Sequence, residues 1–429
     1  TRPRPFRVGR DGLALGEGAA VIALGSADLA KAHRVQSFGY VAGFGASTDA
    51  VHLTAPDPTG RGLARAAKAA LNDANVARVG LISAHATATP FNDPAEAKAI
   101  AAALGGAPPE GVHPFKAQIG HTLGAAGALE ALAALDAVQR GVKPAAAGDG
   151  NIDPDCAVPL FASNERLVDA TALKLSSAFG GTNAALVLRS APPEAREPSR
   201  RGRARAVFLR GFAAIPGALE SADFTAWLAR QHPHAHRLDR MARLALSAAR
   251  ALSGSTEAPS TALFPRGTGI LLGHALATLE QNELFDSRLR ERGPRAVEPR
   301  RFPATSPNAA AGECAIAFGL EGPSFAVGAS LHGAMEALAV ARDLVAVGDA
   351  PAMLVIAADL QGTTSSALLS AAEAPPICPG ACAALLTAEP AAGAVPLEGA
   401  IPETLAGGRD WAWAGPFGHD ELRAYLAGL

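Results

Sequence analysis

The chain has 429 residues, is 49% apolar and carries a formal net charge of -2, so it can bury at least two cores and has no charge excess of the kind that selects nucleic acid. Its four cysteines, Cys156, Cys314, Cys378 and Cys382, lack the spacing of a metal site or a disulfide framework, which predicts a reduced, cytoplasmic protein. No apolar run is long enough to span a bilayer and no secretory signal is visible.

The first residue, Thr1, stands inside what reads as an ordered segment, so a fragment of a longer protein is expected. Gly12, Gly16 and Gly18 punctuate a turn ahead of the apolar run Ala19 to Leu24, which predicts a buried strand. A second strand is predicted over Val35 to Phe44, closed by Gly45, and an Ala-rich amphipathic helix over Gly62 to Asn75. Val79 to Ala84 reads as a short buried strand. It delivers His85-Ala86-Thr87-Ala88-Thr89-Pro90 at its carboxyl end, the usual ligand crevice of an α/β sheet. A helix follows from Asn92 to about Leu104, with Glu96 paired to a buried neighbour.

Lys116-Ala117-Gln118-Ile119-Gly120-His121 then leads into an Ala/Leu-rich run, Thr122 to Arg140, apolar at helical spacing and stopped by Gly141. At a helix N-terminus the dipole and free N–H groups would keep His121 neutral, and a neutral imidazole can offer an N–H to a developing oxyanion. The same stretch also reads as a capped, buried helix with an incidental His and Lys. A strand over Leu173 to Ser177, the turn Phe179-Gly180-Gly181-Thr182-Asn183 and a strand over Ala184 to Leu188 close this region.

Together these segments resemble the carboxyl-terminal half of a β-ketoacyl-acyl carrier protein synthase. The resemblance is carried by the His85 to Pro90 block, by Lys116 to Gly127 and by Phe179 to Asn183. Arg10-Asp11-Gly12, Gly16-Glu17-Gly18-Ala19 and Asp49-Ala50-Val51-His52-Leu53-Thr54-Ala55-Pro56 support it, and it extends from Pro3 to about Arg189. It implies an α/β, thiolase-like fold with a layered α-β-α-β-α architecture and mixed sheets.

It also implies an acyltransferase of fatty acid or polyketide biosynthesis. In that chemistry a cysteine carries the acyl chain as a thioester, and a decarboxylated malonyl carrier attacks it as an enolate. By resemblance His85 and His121 hold the thioester oxygen and Lys116 organises the pair. Thr87 and Thr89 would bind the phosphopantetheine arm, Thr54 would join the substrate contacts, and Phe179, Gly180 and Gly181 would form the gate beside the thioester. No cofactor of the chain's own is implied, because phosphopantetheine arrives on the acyl carrier protein. Ala86, Ala117 and Ser177-Ala178 depart from the family's Gly, Ser and Phe-Gly, which bears on gate mobility and acyl preference.

Residues 1–190 are thus expected to form the carboxyl half. Residues 191–205, Pro- and Arg-rich without periodicity, read as a linker, either a solvated tether or a patch for an acidic carrier protein. Residues 206–390 then resemble the amino-terminal half of the same family. The elements are a helix from Leu238 to about Leu252, a strand from Gly267 to Gly273, a helix through Ala317, the Gly322 to Val327 block ahead of another helix, and a strand from Ala352 to Ala358. Residues 391–429 form a tail with Trp411, Trp413 and a short terminal helix.

Leu331 stands where the family's catalytic Cys would be, in register with Gly322-Pro323-Ser324 and with Gly348-Asp349. Cys314 reads as a buried small hydrophobe, Ser330 as a displaced nucleophile or an ordinary serine, and His332 as packing or surface. A half without its Cys resembles a chain-length factor, and Leu331 is expected to be buried in a vestigial pocket. The resemblance implies a piece of a fused synthase and chain-length factor. Its partners would be an acyl carrier protein and a synthase half or subunit that carries the Cys, upstream or on another chain, in a dimer. Two alternatives are a Cys-less malonyl carrier decarboxylase and a non-catalytic scaffold subunit.

Overall fold

The computed structural model describes residues 3–192, 204–216, 222–232, 234–253, 264–276, 278–328, 330–374, 377, 379–390, 393–397 and 419–428. The arginine run of the linker, Cys378, Trp411 and Trp413 lie outside the described residues. The chain divides into two compact units, Thr1–Asp49 with Ala55–Glu197, and Ala50–Thr54 with Pro198–Leu429.

Five strands of the first unit, β1 (Tyr40–Thr48), β2 (Leu81–Ser83), β3 (Gly111–His113), β6 (Thr171–Ser177) and β7 (Thr182–Arg189), form one sheet in the order β1-β7-β6-β2-β3. A separate ribbon pairs β4 (Val142–Lys143) with β5 (Glu165–Arg166). β2 runs parallel to both β6 and β3, whereas β7 is antiparallel to β1 and β6. The helices are α1 (Ala27–Ala32), α2 (Arg61–Ala74), α3 (Asn92–Ala103), the single turn α4 (Lys116–Ile119) and α5 (Ala126–Arg140).

Both faces of this sheet are covered, and strand alternation decides what each face meets. Leu173 and Leu175 of β6 join the core made with α2 and α3. Ala172 joins the core made with α5, and Lys174, two residues on, lies on that same face.

Gly43 and Gly45 show why β1 continues past its expected end. A Cβ on Gly43 would lie 2.2 Å from the Ala70 carbonyl oxygen, and one on Gly45 would lie 2.1 Å from that of Ala66. These glycines admit the backbone of α2 against the strand instead of closing it. The strand expected over Ala19 to Leu24 does not form. That run is irregular, with Val21 95% and Leu24 79% exposed, because no neighbouring strand or apolar surface receives it among the described residues.

The second unit contains β8 (Phe208–Pro216), β9 (Gly269–His274), β10 (Ser324–Gly328), β11 (Ala352–Asp359), β12 (Gly380–Thr387) and β13 (Val395–Pro396), in the order β10-β9-β11-β12-β8-β13. Its helices are α6 (Ala222–Gln231), α7 (Arg240–Ser253), α8 (Leu279–Arg292), α9 (Ala309–Phe318), α10 (Gly333–Val347), α11 (Thr363–Ala371) and α12 (His419–Ala427). One face of the sheet packs on α7 and α9, and the other on α10 and α12.

Leaving out the short β4–β5 ribbon and the edge strand β13, both sheets have one topology. The first strand in the chain is followed across the sheet by the fifth, fourth, second and third. In each unit the helix between third and fourth strands, α5 or α10, ends on a left-handed glycine, Gly141 (φ 61°) or Gly348 (φ 86°). The α/β class with mixed sheets is borne out.

Leu331 lies in the turn ahead of α10 and is half-buried, not buried as expected. It rests on a small satellite cluster of Ala275, Leu369 and Ile377, separate from the two cores of the sheet, so one side stays open.

Candidate active site

Three adjacent parallel strands, β6, β2 and β3, end on the same side of the first unit's sheet, and the residues singled out from sequence follow those ends. β2 is succeeded by His85, β3 by Lys116 and His121, and β6 by the Phe179 turn. This is the crevice that parallel strands of an α/β sheet leave for a ligand.

The His85 turn is held from below by a carboxylate. Glu96 of α3 accepts the backbone N–H of His85 at 2.6 Å and that of Ala86 at 2.8 Å. Ala86 and Ala88 both adopt left-handed backbone, with φ 46° and 58°, a conformation that costs an L-residue roughly 1–2 kcal/mol. Glu96 and Asp93, whose Oδ1 accepts the Ala88 N–H at 3.1 Å, offset that strain. Burial pushes the Glu96 carboxyl up to about 7. Its partners are thus backbone N–H groups and the Asn92 amide (3.3 Å), not a buried cation.

Lys116 is 2% exposed and donates to the His85 carbonyl at 2.5 Å, with its Nζ 3.3 Å from His85 Nδ1. Its charge is balanced by Glu130 of α5, whose Oε1 lies 2.6 Å away, while the other oxygen of Glu130 lies 2.7 Å from Lys174 Nζ. Sequence reading missed both Glu130 and Lys174. Each carried a signal, a charged residue on the buried stripe Ala126, Glu130, Ala134 of α5 and a lysine inside the wholly buried stretch of β6.

The imidazoles of His85 and His121 meet edge to face, centroids 5.6 Å apart and planes at 86°. Burial holds His85 well below its ordinary pKa, reinforced by the Lys116 charge, and brings His121 down to about 4 for the same two reasons. His121 sits ahead of a short 3-10 turn, Leu123–Ala125, that runs into α5. Desolvation and Lys116 are the larger causes that keep it neutral, and the Leu123 N–H at the start of that turn, bonded to Nδ1, disfavours the imidazolium as expected.

The hydrogen bonds assign the tautomers. His121 Nδ1 accepts the Leu123 N–H at 3.1 Å, and His85 Nδ1 faces the Lys116 ammonium, which places both ring protons on Nε2. The backbone of His121 is pinned by Ala14 and Gly16, whose groups bond its N–H and C=O at 2.7 and 3.1 Å.

Thr87 and Thr89 lie on the same turn, their hydroxyls 3.2 Å apart, and Thr89 Oγ1 also accepts the Asn92 N–H at 3.0 Å. Phe179 is 38% exposed, and Gly180 and Gly181 both take positive φ. Below them Asn183 bonds Asp49 and the Gly181 carbonyl, at 2.8 and 3.1 Å, and fixes the turn. Thr54 belongs to the segment Ala50–Thr54 of the second unit, is exposed, and its N–H donates to His52 Nδ1 at 3.1 Å. In the second unit His332, beside Leu331, bonds Glu421 of α12 at 3.0 Å, and Ser330 donates to Glu336 at 2.7 Å.

Residues 38–148 match the β-ketoacyl synthase C-terminal domain, and residues 198–400 match the β-ketoacyl synthase N-terminal domain. Among curated proteins, the chain is 40% identical over 189 residues to a 3-oxoacyl-(acyl-carrier-protein) synthase 2 of Coxiella burnetii, across 43% of this chain and 46% of that protein. It is 38% identical over 195 residues to a mitochondrial 3-oxoacyl-(acyl-carrier-protein) synthase of Arabidopsis thaliana, across 44% of this chain and 42% of that one. The chain thus spans about half the length of the curated relatives it matches. Among solved structures, the PfaC keto synthase–chain length factor is alike in fold, with a TM-score of 0.69 over 90% of this chain and 52% of that chain at 18% identity.

Proposed function

Because the chain belongs to the β-ketoacyl synthase family, with a thiolase-like fold and a carboxyl domain that precedes an amino domain, we propose that its first unit supplies the imidazole half of a decarboxylative condensation site. The second unit is then a chain-length-factor-like half without a nucleophile. One observation carries the reading, the pair of buried neutral imidazoles whose Nδ1 atoms are occupied and whose Nε2–H groups are left as donors.

The partners are a synthase amino-terminal half bearing the cysteine, within a dimer, and a cytoplasmic acyl carrier protein that brings the phosphopantetheine arm. The exposed apolar run around Val21 and Leu24 is a surface for that half. When malonyl carrier binds, its C–C bond to the carboxylate breaks, CO2 leaves, and the electron pair becomes a thioester enolate. Donation from His85 and His121 Nε2 holds the enolate oxygen. The enolate carbon then bonds to the acyl carbonyl carbon, and the cysteine sulfur departs as thiolate. Neutral donors suit this step, because an imidazolium would over-stabilise the enolate. Thr87 and Thr89 bind the arm, and Phe179 gates the thioester.

The test is CO2 release from labelled malonyl carrier by the chain assembled with a cysteine-bearing synthase half. Release that requires both histidines is expected, and an assembled complex that releases nothing overturns the reading. Release should fall below about pH 4 as His121 takes a proton and above about pH 8 as Lys116, brought down to about 8 chiefly by burial, loses its own. Glu96, at about 7 beneath the His85 turn, is the group that titrates between these limbs. A limb near pH 6.5 that persists in Glu96→Gln would contradict the neutral-imidazole assignment.

The chain by itself should form no acyl-enzyme. Burial pushes the Cys156 thiol up to about 11 and Cys382 up to about 12, and raises Cys314 further, so none of these three described cysteines offers a thiolate. Leu331→Cys should add no adduct either, since the second unit's edge-to-face imidazole pair, His52 and His234 with centroids 5.9 Å apart, is only half-buried and is not held neutral by burial beside a lysine as His85 is. Intact-mass measurement after incubation with an activated acyl carrier checks both, and a stable adduct would reopen the nucleophile question.

A further inference from the structure

Glu130 is shared between two buried lysines, and only one of them reaches the imidazoles. Lys116 takes Oε1 and turns its remaining donors to His85, while Lys174 takes Oε2 and bonds Ser176 Oγ at 3.0 Å and the Leu175 carbonyl. All three charged side chains are 2–3% exposed, so water does not screen them from one another. A buried carboxylate facing a single ammonium would draw it into a closed, two-oxygen pair.

We propose that Lys174 is a positioning residue for the site: by occupying one oxygen of Glu130 it keeps Lys116 a half-engaged ammonium aimed at His85. The inference rests on the reading of Lys116 as the cation of the imidazole pair. The groups facing Lys116 are Glu96 from α3, Glu130 from α5, Lys174 from β6 and the two imidazoles, His85 and His121, with His113 of β3 facing Glu130. Lys174 opposes the charge of Lys116, and of both histidines, directly.

The experiment is NMR titration of Lys116 and of the two imidazoles in the full chain, with Lys174→Met and Lys174→Arg compared with the parent. Lys174→Met should raise the Lys116 midpoint by about 1 pH unit. It should also weaken the Nδ1 signature of a donor at His85. Lys174→Arg, which keeps a cation on Glu130, should leave both near their parent values. A folded methionine variant with an unmoved Lys116 midpoint overturns the proposal, since a purely structural lysine would lower stability without moving it. Lys174→Gln removes the charge and keeps a donor to Glu130, and it serves the same comparison if the methionine variant does not fold. The titration needs neither carrier nor partner. Shifted midpoints in a chain whose complex releases no CO2 would uphold Lys174 and sink the proposed reaction, and the converse result would do the opposite.

Discussion

His85→Ala and His121→Ala are each expected to lower malonyl decarboxylation by about 10²–10³-fold in the assembled complex, the loss found when one donor to a developing oxyanion is removed. Both imidazoles are placed to act on one oxygen, so the double variant should fall little below the weaker single one. Neither change should unfold the site. Lys116 bonds the backbone carbonyl of His85, which survives truncation, and Glu96 holds the backbone N–H of the same residue. At His121 the lost side-chain contact is the Leu123 N–H bond, worth about 1 kcal/mol. The measurement is CO2 release beside a thermal melt for each variant. Near-parental release in a folded variant would remove that histidine from the mechanism and favour a scaffold role for the first unit.

The parts of this site that were legible in the sequence are those fixed by short spacing. His85 follows β2 by two residues, and Lys116 and His121 are five apart across one turn, so strand-then-turn reasoning places them at one sheet edge. Glu130 and Lys174 depend on how α5 lies on β6, a tertiary relation that neither local pattern contains. The left-handed Ala86 was visible only as a missing glycine, and what compensates it, a carboxylate eleven residues beyond His85, is again tertiary. The run Ala19 to Leu24 failed as a strand for a different reason. Apolar sequence records that a surface is meant to be covered but not by which segment, and here none among the described residues covers it. The repeated strand order of the two units escaped because the segments that share it carry unlike motifs around His121 and Leu331.

Glu130→Gln should be among the most destabilising single changes in the first unit, costing about 3–5 kcal/mol near pH 7, because two ammonium groups stay buried with no carboxylate between them. The amide can still accept from one lysine and cannot balance either charge. The sign of the pH dependence follows from Lys116, whose folded pKa already lies below that of the free side chain and is held up by Glu130. Removing the carboxylate depresses it further. A lysine depressed in the folded state is penalised as pH falls from its free value to its folded one, and the parent's Lys116 is itself neutral above about 8. The variant's extra deficit is therefore full below its further-depressed value and shrinks away as pH rises through about 8. Lys174→Met in the same chain should recover part of the loss by removing one uncompensated charge. Trp227 is buried in the core of the second unit, so its indole fluorescence provides an internal control. The variant should shift the denaturant midpoint of amide protection in β6 and leave the indole transition in place. A loss under about 1 kcal/mol at pH 7, or one that deepens with alkalinity, would mean that the two lysines are not held as a charged triad with Glu130.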